Sequence, residues 1–97
     1  EPDELLPAAK ALALSMVADS APVSVALTRQ MIWRMAGAPH PMVAHQVDSR
    51  ALHSRGGSPD AKEGVMSFLE KRTPQFPAKV SSDVPAVWET WPDPDFA

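Results

Sequence analysis

The stretch that most constrains the fold is Ser58–Phe76, SPDAKEGVMSFLEKRTPQF. It carries helix signals at both ends. The Ser58 hydroxyl can accept one of the free amide protons of a first turn. Pro59 at the first helical position has no N–H to leave unpaired. Asp60 and Glu63 put negative charge on the positive end of the helix dipole, and Lys71 and Arg72 put positive charge on the other end. Ala61, Val65, Phe68, Leu69 and the stem of Arg72 fall on one apolar face. Pro74 pushes Thr73 out of the α region and marks the stop.

Three further helices precede it. Glu1 to Asp19 reads as the first, with Pro7 tolerable only in a first turn. Leu5, Leu12 and Met16 form one seam of it, and Leu6, Ala9, Ala13 and Val17 its neighbour, which predicts a broad buried stripe. Pro22 starts a second helix that runs to about Ala36 and ends at Gly37 as a C′ glycine. Val25, Leu27, Met31, Ile32 and Met35 are its expected core face, Arg29, Arg34 and Gln30 its outer face, and Trp33 lies near the edge. Ala38-Pro39-His40-Pro41 is a turn. Pro41 to about Arg55 is a third helix with a thin apolar line of Met42, Val43, Val47, Ala51 and Leu52, ended by Gly56-Gly57. Residues 74–97 hold five prolines, two tryptophans and four acids without a period, and read as an extended tail laid over a surface. The expectation is an all-α chain with two regions, a helical part over 1–73 and a tail over 74–97. A bundle this small has little stability margin and is expected to pack on something else.

Composition excludes more than it selects. At 97 residues there is room for one small domain. The chain starts at Glu1 rather than Met, which suggests a piece of a longer protein. There is no cysteine, hence no disulfide framework or Cys-based metal site, and a cytoplasmic location fits. No apolar run approaches bilayer length, so no membrane partner is expected. The net charge of −3 hides a basic middle. Residues 29–72 carry seven cations against four carboxylates, too diluted for a nucleic-acid footprint but able to meet one small anion.

Several residues could carry chemistry. Phe68 and Lys71 are three apart, so on a helix they share adjoining surface. An aromatic face beside an ammonium suits a nucleotide; equally, Phe68 can be core and Lys71 a dipole-compensating charge. His45, Asp48 and His53 are too spread along one helix to converge on a metal unaided. Ser49 and His53, at i and i+4, permit a hydrogen bond, but a nucleophile also needs an orienting group and an oxyanion hole, and neither is identifiable. Gly56-Gly57-Ser58-Pro59 is a Gly-rich lead into a helix N-terminus without the lysine and spacing of a P-loop. Trp88 and Trp91 are expected to anchor the tail.

The pattern S-x-D-x-x-E-G, then a small residue and Phe, then E-K-R-x-P-x-F, is met here by Ser58, Asp60, Glu63, Gly64, Ser67, Phe68, Glu70, Lys71, Arg72, Pro74 and Phe76. It resembles the C-terminal signature of the crotonase (enoyl-CoA hydratase/isomerase) family. A second patch, APVSVALTRQ at Ala21–Gln30, resembles that family's preceding helix, so the similarity covers most of residues 3–80. The resemblance implies a parent enzyme that acts on acyl-CoA thioesters through an enolate held in an oxyanion hole, with coenzyme A as part of the substrate and no other cofactor. It implies that the helices build a homo-oligomer, trimer or hexamer, and close the active site, and that Phe68 and Lys71 touch coenzyme A. The family's α/β spiral core, with its oxyanion-hole amides and acid/base carboxylates, is absent from these 97 residues. No catalytic residue is expected here, and the segment alone is expected to be inactive. A reading from a different class is a stand-alone helical interaction module.

Overall fold

The structure, a computed structural model, describes residues 1–88. It is all-α: α1 (Pro2–Val17), α2 (Pro22–Met35), α3 (Pro41–Gly56) and α4 (Pro59–Leu69), followed by an extended run. Each helix opens on a proline at its first position, where the ring is pre-set to helical φ and its missing donor is harmless. Two helices also have side-chain caps. Ser58 Oγ accepts the amide of Ala61, and His40 Nδ1 accepts the amide of Met42 at 3.0 Å. The imidazole cap on α3 does the work that Ser, Thr, Asp or Asn more often does.

The core is small and lies between α2 and α3. Val23 and Leu27 of α2 meet Val47 and Ala51 of α3, and Val87 of the tail closes the cluster. Met31, Met35, Ala78 and Trp88 pack around it. The tail therefore completes the core, as expected of a strand of chain laid over a surface. Trp88 sits beneath the Arg34 guanidinium, 4.7 Å from ring centroid to Cζ, a cation–π geometry. Trp91 lies outside the described residues.

Four expectations about faces are corrected. α1 buries none of its residues; Leu5, Leu6, Leu12, Leu14 and Met16 are all exposed, because the chain bends by 103° between α1 and α2 and carries α1 away from the core. Pro7 is not in the first turn but inside α1, where it forgoes a hydrogen bond to the Asp3 carbonyl. On α2 the inward face is Val23 and Leu27, while Val25 and Ile32 point out. That rotation follows from where α3 lies.

The fourth correction concerns α4. Its apolar face, Val65, Phe68 and Leu69, points outward, and Asp60 and Ser67 are the buried residues. The reason is the tail, which returns along the polar side of the helix. Asp60 is 3% exposed yet satisfied: Arg55 Nη2 donates to Oδ2 at 2.6 Å and the Ala78 amide donates to Oδ1 at 3.0 Å. Ser67 Oγ donates to the Gly64 carbonyl. Gly64 faces the Phe76 ring; a Cβ there would lie 3.7 Å from Cε1. Small and paired polar groups let the chain pass where a leucine face would hold it off.

Candidate functional site: the C-terminal end of α4

Pro74 does not end α4. The helix stops at Leu69 with Glu70 as C-cap, three residues earlier than the proline signal implied. The Arg72 amide donates to the Ser67 carbonyl at 3.0 Å and the Lys71 amide to the Phe68 carbonyl at 3.2 Å. These paired bonds are a Schellman motif, whose C′ position demands left-handed backbone and is usually glycine. Here C′ is Lys71, with φ of 55°. A Cβ-bearing residue in that region costs about 1–2 kcal/mol. Phe68 and Lys71 are therefore not two positions on one helix face. Phe68 is on the last turn, and Lys71 is the reversal just beyond it.

Both side chains are open to solvent; Phe68 is 82% exposed. The readings of Phe68 as core and of α4's apolar stripe as inward-facing fail together. Phe68 and Lys71 line one open recess of about 450 Å³ with Asp19, Gly64, Ser67, Arg72, Thr73 and Pro74. A second, more apolar recess of about 500 Å³ runs along the outer side of α2 from Ser20 to Trp33.

Arg72 folds back rather than extending α4's apolar face. Its Nη1 and Nη2 donate to the two oxygens of Glu63 at 2.5 and 2.9 Å, and its Nε donates to Glu70 at 2.6 Å. The Gln75 amide adds a bond to Glu63 at 2.7 Å. The Arg72 hydrogen bonds first, and the Gln75 amide next, hold the Glu63 carboxyl down to about 2. The same bonds push the Arg72 guanidinium further up. The sequence presents Glu63 and Arg72 as charges on a helix dipole and as separate members of the signature, with the Arg72 stem on the apolar face, and not as a pair. Their nine-residue separation suits no helical pairing, so only the reversal at Lys71 brings them together.

The other candidate residues are not assembled. His45, Asp48 and His53 are all exposed, and among the described residues no three His, Asp or Glu side chains gather as a metal needs. The side chains of Ser49 and His53 make no hydrogen bond to each other. At Gly56-Gly57 the chain ends α3, and Ser58 Oγ, besides capping α4, donates to the Arg55 carbonyl at 2.6 Å. That segment is a helix stop and restart. Among the described residues no single helix is long and apolar enough to cross a membrane.

The resemblance drawn from the signature residues has a counterpart in known proteins. Over 71 residues the chain is 42% identical to three enoyl-CoA hydratases of Alternaria alternata: AFT3-1, ACTT3 and AKT3-2. The match takes in 73% of this chain and 23% of each relative. The relationship to crotonase-type proteins is thus real but partial, since the chain spans under a quarter of its relatives' length. No family model matches the chain.

Proposed function

We propose that these residues are the C-terminal helical part of an enoyl-CoA hydratase/isomerase-family enzyme acting on acyl-CoA thioesters. The observation that carries this reading is the 42% identity to three proteins named enoyl-CoA hydratases. Catalytic groups lie upstream, in a core that stabilises a thioester enolate with preorganised donors. This segment contributes an anchoring surface for coenzyme A at Phe68 and Lys71. The exposed ring offers a face to adenine or an acyl chain, and the ammonium offers a point charge to a phosphate. The outward apolar faces of α1 and α4 serve oligomerisation and closure of the site, because apolar stripes left in water are surfaces awaiting a partner.

The test begins with the intact mass of the gene product in its source cells. A mass several-fold above 10.5 kDa supports the enzyme; a mass near it favours the stand-alone interaction module. In the longer protein, Lys71→Glu is expected to raise KM for crotonyl-CoA about tenfold or more, through one lost and one reversed charge contact, with kcat little changed. An unchanged KM removes Lys71 from the site. Residues 1–97 alone are expected to hydrate no crotonyl-CoA.

A further inference from the structure

The left-handed backbone at residue 71 is dictated by the path of the chain, whereas the lysine there is not. The reversal needs a positive φ at C′, here 55°. It brings the Arg72 amide to the Ser67 carbonyl and the Arg72 guanidinium to Glu63. Glycine would meet that need without strain; a residue with a Cβ meets it at a cost in stability. Nothing within the described chain offsets that cost. The Lys71 side chain is exposed, and among the described residues its ammonium forms no ion pair and no hydrogen bond. The helix dipole does not account for the lysine either. A cation serving the dipole alone would stand on the last relaxed residue, and that residue is an acid, Glu70, the C-cap at φ of −83°.

We infer that Lys71 holds this strained backbone because the position sets its ammonium on the recess that Phe68 also lines, where it meets a phosphate group of the ligand. Strain kept where the fold does not use the side chain points to a functional use of it. The inference rests on the reading of this recess as a coenzyme A contact, and it adds that stability is given up to keep the cation there. The Lys71 amide donates to the Phe68 carbonyl at 3.2 Å, so the turn that strains Lys71 also ties its backbone to that of the ring residue. Arg72 lines the same recess, but its Nε, Nη1 and Nη2 are engaged by Glu70 and Glu63. Asp19, the acid of the recess, forms no ion pair with Lys71. The ammonium is therefore the uncommitted cation of this recess among the described residues, and lysine binds phosphate as a point charge.

The test sets stability against affinity in the full protein, with coenzyme A as probe and binding read by calorimetry. Lys71→Gly is expected to raise Tm by about 2 °C, because glycine takes the left-handed turn freely. The same variant is expected to bind coenzyme A about tenfold more weakly, the weight of one charge-assisted contact. Lys71→Asn, whose side chain tolerates this backbone, is expected to move both quantities in the same directions, with the smaller rise in Tm. Lys71→Arg keeps both the charge and the strain, and is expected to keep the parent's Tm and most of its affinity. A lysine that only held the turn would give the rise in Tm without the loss of binding. Unchanged affinity in Lys71→Gly therefore overturns the inference, and so does a Tm that does not rise. If the parent protein binds no coenzyme A, the functional reading fails and the inference with it. If parent and Lys71→Gly bind it equally, the reading stands and the inference alone falls.

Discussion

The carboxylate of Asp60 lies 2.6 Å from the guanidinium of Arg55, with 2% and 14% of the two side chains exposed. This pair is where α3, α4 and the tail are joined. Arg55 Nε also approaches Ser24 Oγ on α2 at 3.4 Å, and the second Asp60 oxygen holds the Ala78 amide. Truncating Asp60 leaves a part-buried cation and a tail amide without their partner. Breaking such a pair costs about 3–5 kcal/mol, a large share of what a domain this small can hold. Asp60→Ala is expected to lose at least about 3 kcal/mol in denaturant unfolding followed by circular dichroism. Asp60→Asn, which keeps an acceptor for Ala78, should fall between it and the parent. A loss below about 1 kcal/mol for the alanine variant would show the pair to be as weak as a surface one.

Gly64→Ala is expected to stabilise the protein. Gly64 is in the interior of α4 with φ outside the left-handed region, so it gives up chain entropy without using its freedom. The added Cβ meets Phe76 Cε1 at 3.7 Å, ordinary contact. The expected gain is about 0.5–1 kcal/mol, seen as a rise in Tm. A fall in Tm would mean the Phe76 ring lies closer to α4 than described.

Acid stability should depend on Glu63. Its folded pKa is about 2, below the ordinary carboxylate value, so the folded state binds fewer protons than the unfolded one. The contribution is fully present above about pH 4.5 and is lost as pH falls towards 2. Glu63→Gln is expected to flatten the stability profile in that window and leave its slope above pH 5 unchanged. High salt should shrink the effect, because the pair with Arg72 is partly exposed to solvent. An identical acid limb in parent and variant would sink the assignment.

The tail should detach when Trp88 is removed. Val87 is buried in the core, and Trp88 is half-buried beneath Arg34. Trp88→Ala forfeits apolar burial and a cation–π contact together worth about 1–2 kcal/mol. Limited proteolysis is the sensitive readout, with cleavage expected to quicken around the exposed Val80–Val84 turn. Equal cleavage rates would place the hold on Val87 alone.

Much of the fold is legible in the sequence. The four helices, their proline starts and the Ser58 cap follow from local rules that act within a turn or two. What those rules do not fix is which face turns inward. α4 has an apolar stripe that any periodicity argument would bury, yet Asp60 and Ser67 are inside, because the returning tail supplies Ala78 and Phe76 to that side. The site is legible only in part. Phe68 and Lys71 stand out as an aromatic and a cation near a helix end. The early stop at Leu69 carries no glycine or asparagine signal, and the Glu63–Arg72 clamp depends on that stop. Long-range pairing through a reversal leaves no periodic trace.

The bend between α1 and α2 has a mechanical consequence. α1 is sixteen residues long, about 24 Å at 1.5 Å per residue, so a rotation of about 10° at its base sweeps the tip through about 4 Å. None of its residues is buried, so among the described residues no core packing resists that sweep. The helix is a lever whose pivot is the short link from Ala18 to Ala21. Its leucines point where the pivot aims them, and a substitution at Ser20 or Ala21 is expected to redirect that exposed apolar face by more than any change on the lever itself.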